Sequence, residues 1–319
     1  MTCAVSEDGT ITFRDAHGND IPEHLVEVAK RQNKEAILAL IQRQCDQINA
    51  QVEALVRVHL ETPDCLADRS FVAPPFSEDR PAPPKPRIPG FLDNIFRGRM
   101  QRLANANAAD EAAHHEALVA WQRRKSAFEA DSNERKHFFE VRILREVDAM
   151  EELLGANLQA IDWPRETTVS FGIFSAGGCV ALDVDLPEFE QMPNKVASVP
   201  SRGLKLSVKD MPATKLQRMY ADHAHGIIFR LVGEAFAALP RAQQVVASGY
   251  SQRPDRATGV VRDEYLLSVS VQRFEWESID FSALESIELA QALERFDLRR
   301  SMLKSGHLNA VEPHQAPGI

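Results

Sequence analysis

The chain lacks the residue spacings that mark the common catalytic and metal-binding sites. Its four cysteines, Cys3, Cys45, Cys65 and Cys179, are scattered and form no Cys-x-x-Cys pair. That argues against a zinc ribbon and a disulfide framework and fits a reducing compartment. No G-x-S-x-G, Walker or H-E-x-x-H pattern occurs, so the usual nucleophile elbow, phosphate loop and zinc helix are not expected. The opening run MTCAVSEDGT has neither a basic region nor an apolar core, so no signal peptide is expected. No apolar stretch approaches the length of a membrane span. Positive charge is also in short supply. Lys and Arg number 37 against 46 Asp and Glu, for a net charge of −9 and a pI near 5.6. A strongly basic nucleic-acid binder is thereby excluded on global charge, though a local basic patch stays open.

What remains is the composition of a soluble, cytoplasmic globular protein, with 44% hydrophobic and 26% charged residues. At 319 residues the chain has room for one large or two ordinary domains. The stretch from Thr167 to Pro187 is its clearest element. Val169, Phe171 and Ile173 alternate with polar or small residues, and Val180, Leu182, Val184 and Leu186 do the same on the return. Period two predicts two strands with one apolar face each, joined at Ala176-Gly177-Gly178.

Residues 1–22 read as a small β-hairpin, with Ile11 and Phe13 alternating and turn chemistry at Asp15 to Asn19. The period then becomes helical. Leu38, Ile41, Cys45, Ile48, Val52 and Leu55 make a heptad seam of about three repeats. Its cover is expected to be the chain's own second helix or a helix of another chain. Eight prolines between Pro63 and Pro89 exclude helix and central strand, which predicts an extended connector. Helical signal returns at Phe91 and continues to about Ile161, with a break expected near Asp131-Ser132-Asn133. The arrangement expected is a long antiparallel helical hairpin, a coiled-coil-like arm over residues 23–161, its connector at 63–90. A compact α-β-β-β-α-β-β-α domain follows at 162–305 and a flexible tail at 306–319. The fold class is α+β. Within the domain, Leu204 to Lys209 is the expected third strand, Lys215 to Leu239 a helix ended by Pro240, and Gln244 to Tyr250 and Glu264 to Arg273 two more strands. Ser282 with Glu285 is read as the capping box of a last helix.

Candidate chemistry is sparse. Asp183 and Asp185 fall on the polar face of the second strand and Lys209 on the third, a pattern comparable with the restriction-endonuclease-like fold. There, two carboxylates hold a divalent cation and a lysine positions water. Ser207 stands where the second acid is expected. Glu140 or Glu146 from the preceding helix would have to complete the metal shell. The competing reading pairs the acids with Lys205 and Lys209 as ordinary cross-strand charges. His223 and His225 point to different faces of a helix, and His114 is adjacent to His115, so neither pair is expected to bind a metal. Arg97, Arg99, Arg102, Arg123, Arg124 and Lys125 could contact phosphates, but interleaved acids mark a solvated face.

Several stretches resemble known settings. Ile11 to Asn49 is similar to a segment that follows a small N-terminal domain of unknown function in uncharacterised bacterial proteins. Val180 to Pro193, Val245 to Phe281 and Phe296 to Pro313 resemble an α+β module that stands ahead of an Mrr-like restriction endonuclease domain. Neither flanking domain is expected within these residues. The resemblance implies an accessory part without the part that cuts, serving recognition or assembly around DNA-directed defence. The expectation is therefore a non-enzymatic interaction module with no catalytic, metal or cofactor residues. Its partner would be a protein, or a second copy engaged through the arm. A metal-dependent nuclease built on Asp183, Asp185 and Lys209 is the alternative.

Overall fold

The computed structural model describes residues 2–67, 70–90, 97–254 and 258–315, with the side chains of Arg97 and Pro254 left out. The protein is mixed helix and sheet, so the expected α+β class holds. Strands β1 (Thr2–Val5) and β2 (Ile11–Arg14) precede helices α1 (Glu23–Gln32) and α2 (Lys34–Val56). The long helix α3 (Arg97–Glu140) and α4 (Val147–Gln159) follow. Then come β3 (Thr168–Phe174), β4 (Cys179–Asp185), β5 (Lys195–Ser198), β6 (Ser207–Asp210) and helix α5 (Ala213–Ala238). The chain continues through β7 (Gln244–Pro254), β8 (Val261–Gln272), α6 (Arg273–Trp276), α7 (Leu289–Glu294), β9 (Asp297–Met302) and β10 (Leu308–Asn309). Two compact units divide it: Met1–Ala67 with Arg145–Ile319, and Asp68–Leu144. Among the described residues no helix is long and apolar enough to cross a membrane.

The first unit is built on a six-stranded sheet of order β10-β9-β8-β7-β4-β3, antiparallel except where β4 meets β7. The expected hairpin is there: β3 and β4 pair from Thr168↔Asp185 to Phe174↔Cys179. The turn places Ser175 and Ala176 at positive φ, and Gly177 at φ 90. The inward face, with Val180, Leu182, Val184, Val245, Ala247, Val269 and Val271 all buried, packs against α5. Helix α5 is buried all round from His223 onward, as a helix in the middle of a core must be. Two glycines let the 3-10 turn Val58–Glu61 and its neighbour approach it. A Cβ at Gly233 would lie 2.2 Å from Thr62, and one at Gly226 would lie 2.7 Å from Val58. At the end of α5 the Arg273 guanidinium donates to the carbonyls of Phe236, Leu239 and Ala242. The carbonyls of Phe236 and Leu239 stand at the C-terminal end of α5, where helix carbonyls lack an intrahelical partner and a cation interacts favourably with the helix dipole. Trp276, fully buried, packs on Phe229, Phe236, Phe281 and Phe296.

Several expectations are corrected. The strand holding Ser207 and Lys209 does not join the main sheet. It pairs with β5 as a separate two-stranded sheet. That hairpin and β1–β2 cover the seam of α2: Ile37, Ile41 and Cys45 cluster with Phe13, Ala197 and Leu206. Asn49 fixes the contact, its amide accepting from Ala197 N and donating to Ala197 O, both at 2.9 Å. The side chain thus replaces a neighbouring strand at an edge. Leu55, at the end of the seam, enters the main core. The seam is therefore satisfied within its own unit, by strands at Ile37, Ile41 and Cys45 and by the main core, where α2 meets α5, at Val52 and Leu55. At the N-terminus the hairpin turn is Ser6 to Thr10, and Asp15 to Asn19 forms a further turn behind it.

The expected last helix is instead a 3-10 segment, Phe281–Ser286, capped by Asp280 rather than Ser282, followed by the short α7. Beyond it the chain returns to strand. β9 pairs with β8 and β10 pairs with β9, and residues to Gln315 lie on the sheet. The tail expected to be flexible from residue 306 is held by backbone and side-chain bonds up to His314. Residues 316–319 lie outside those described.

The second unit has a different construction. Helix α3 runs through Asp131-Ser132-Asn133 without the expected break, and i,i+4 ion pairs Arg135–Asp131 and Lys136–Glu140 span that region. The expected helix start at Phe91 lies outside the described residues. The proline-rich segment is more than a connector, because it lies along α3 in the opposite direction. Phe71 stacks on Phe139, and Phe76 meets Phe128 and Trp121. The Trp121 ring nitrogen donates to Glu78 O, Arg124 pairs with Glu78, and Arg87 pairs with Asn107 and Asp110. From Phe71 to Arg87 the strap advances sixteen residues while its partners on α3 retreat thirty-two, from Phe139 to Asn107. An extended polyproline chain rises ~3.1 Å per residue and a helix ~1.5 Å, which is that two-to-one register.

Candidate functional site

The face of the six-stranded sheet turned away from α5 carries small and polar residues in rows. One row runs Ser170, Asp183, Ser248, Ser268 and Arg299; the next runs Gly172, Ala181, Val246, Ser270 and Asp297. Alternation along each strand puts them there, opposite the buried valines and leucines. A third row holds Asp185 and Tyr250. A register shift at Gly249/Tyr250 pairs Tyr250 with Tyr265, while Gly249 pairs with Leu267. The strand therefore buries two successive leucines, Leu266 and Leu267, and returns Tyr265 to the open face. The two tyrosine rings meet edge to face at 5.6 Å.

Small side chains leave room. A cavity of about 500 Å³ lies over the β3–β4–β7 part of this face. Its floor is Ala181, Asp183, Val246 and Ser248, and one wall is the ring of Phe174. That ring lies over Gly172, where a Cβ would be 3.0 Å from it. The other wall is Tyr265 with Pro313 and His314 of the C-terminal segment. This segment is fastened by Val311 N donating to Tyr265 O, His314 N donating to Ser268 Oγ, and Arg299 donating to Pro313 O.

The site's electrostatics are one-sided. Burial pushes the Asp183 carboxyl above its ordinary range, partly opposed by the Tyr265 hydroxyl at 3.3 Å, and Asp263 adds to the rise. Asp185 is raised by burial, then by Glu188, Asp263, Glu166 and Asp183. Burial and Asp183 together push Tyr265 up to about 12. None of Asp183, Asp185 and Asp263 forms an ion pair with a described Lys or Arg.

The expected constellation does not assemble. Asp183 and Asp185 share the open face, but Lys209 sits on the separate β5–β6 sheet. Among the described residues no three His, Cys, Asp or Glu converge as metal ligands. Lys205 and Lys209 do not pair with the acids either, so the cross-strand reading also fails. His223 and His225 are both buried and serve the core. His223 Nδ1 meets Leu55 O at 2.9 Å, and His225 meets Ala221 O and, through Nε2, Arg300. Burial lowers each to about 4.

One cluster was invisible in the sequence. Ser248 Oγ is 2.7 Å from Ser268 Oγ, which is 3.0 Å from His314 Nδ1, while His314 Nε2 is 3.1 Å from Asp297. The residue types are those of a serine-hydrolase relay. The geometry is that of a fastener. Ser268 is wholly buried and also accepts from His314 N. Ser248 stands mid-strand with both edges of β7 paired, so the ladder takes up the backbone donors an oxyanion hole needs. Compared with protein families, curated proteins and solved structures, the chain shows no match.

Proposed function

We propose that this protein is a non-enzymatic interaction module that receives its partner on the open face of the six-stranded sheet. The observation that carries the reading is the cavity of about 500 Å³ floored by Ala181, Asp183, Val246 and Ser248. A concave, largely apolar pocket with a few convergent polar groups is the usual form of a binding site. The seam of α2 is covered within its own unit, which favours the sheet over the helical arm as the partner-facing surface. The resemblance to modules ahead of an Mrr-like endonuclease domain supports an accessory role in bacterial DNA-directed defence, where such a module recruits or assembles components.

The test is a peptide array probed with the full chain, followed by amide NMR shifts on the best ligands. Shifts confined to β4, β7, Tyr265 and His314 are the expected result. DNA cleavage dependent on magnesium or manganese, and lost in Asp183→Asn, would overturn it in favour of the nuclease.

A further inference from the structure

Resting on that reading, we infer that the open-face cavity takes an alkylammonium group, the lysine or methylated lysine side chain of a partner protein. Three features of the cavity converge on this chemistry. First, its depth is apolar: Ala181, Val246 and the Phe174 ring would sheathe a hydrocarbon stem. A lysine buries such a stem readily while its charged head seeks a partner. Second, the polar group at the floor is a carboxylate. Asp183 is only partly exposed, takes one hydrogen bond from Tyr265, and has no cationic partner among the described residues. A carboxylate drawn out of water without a counter-ion is costly, and a ligand cation removes that cost. Asp185 and Asp263 deepen the negative field instead of relieving it.

Third, aromatic rings line the same cavity as the carboxylate. Tyr265 and Phe174 line the cavity, and Tyr250 buttresses Tyr265 edge to face. Aromatic rings beside an acid recognise organic cations through the ring quadrupole. A metal ion is a poorer fit, since no three ligating side chains converge there among the described residues. An anion would be repelled by the Asp183 carboxylate at the floor. The C-terminal segment, fastened to Ser268, contributes Pro313 and His314 to the wall.

The experiment is titration of the full chain, followed by amide NMR, with blocked lysine, blocked trimethyllysine and blocked norleucine as probes. Norleucine keeps the stem and removes the charge. The two ammonium probes should shift the amides of Asp183, Ser248 and Tyr265 saturably at millimolar concentration. Norleucine should bind at least about tenfold more weakly, as should either ammonium probe in Asp183→Asn. Because Asp183→Asn keeps the side chain's shape and removes an unpaired charge, its melting temperature should equal or exceed that of the parent, which separates lost binding from lost folding. Equal binding of norleucine, or undiminished ammonium binding in Asp183→Asn, would overturn the inference. If array-selected peptides without lysine shift the same amides while ammonium probes do not, the ligand class falls and the interaction module stands. If no ligand shifts this face, both fall.

Discussion

Helices α5 and α3 have opposite economies. α5 has 26 residues and is enclosed on every side from His223 onward. α3 has 44 residues, and none of its described side chains is fully buried. One is held by a core it helps to build, and the other by a single strap laid along one stripe. Most half-buried residues of α3, from Leu103 through Asn107, Asp110, His114, Leu118, Trp121, Lys125 and Phe128 to Ser132, follow steps of three and four. Length alone therefore says little about stability, since what decides is how many sides of a helix are removed from water.

The comparison can be broken most forcefully at Trp276. Trp276→Ala should cost the first unit about 3–5 kcal/mol, by emptying the space between Phe229, Phe236 and Phe296. Urea unfolding followed by circular dichroism would measure it, and a loss under 1 kcal/mol, roughly a surface effect, would mean that α5 is not the keystone. Acid comes next. His223 and His225 are held neutral in the fold with values lowered to about 4, while the unfolded chain titrates near 6.5. Unfolded imidazoles therefore bind protons first, and stability present above pH ~6.5 should decline as pH falls toward 4. Each imidazole contributes up to ~3 kcal/mol to that decline. The raised carboxyls of Asp183 and Asp185 take up protons in the folded state and offset a part of it. A flat urea midpoint between pH 7 and pH 4.5 would contradict the burial of these rings. The smallest effect belongs to the strap. Trp121→Ala removes the contact with Phe76 and the bond to Glu78 O, for roughly 1 kcal/mol. It should speed proteolysis within residues 70–90 and leave the unfolding midpoint of the first unit unchanged.

Much of the fold is legible where one rule decides. The β3–β4 hairpin and α5 are written in clean periodicity, because one face or all faces must be apolar. β9 is not, since Asp297-Leu298-Arg299-Arg300-Ser301-Met302 offers few apolar residues and its strand character comes from pairing with β8. β5 is hidden in the same way, as its one buried residue is an alanine held by Asn49. The C-terminal segment has no apolar period, so nothing local announces that His314 will reach Ser268. Of the candidate site, Asp183 and Asp185 could be placed on a polar face from alternation. Tyr265 could not, because it reaches that face through a register shift. Phe174, Ser248 and His314 come together only through long-range pairing.

The strap's half-rate progress along α3 makes the two segments act like a ruler with mismatched gradations. An insertion or deletion in one can be absorbed only if the other changes by a matching amount. Losing two helical turns, about seven residues, calls for the loss of three or four in the proline-rich run to keep Phe71, Phe76 and Arg87 facing their partners. Length variation in this part of the molecule should accordingly come in coupled pairs, and an engineer who shortens α3 alone should find the strap's aromatic anchors out of step with their partners.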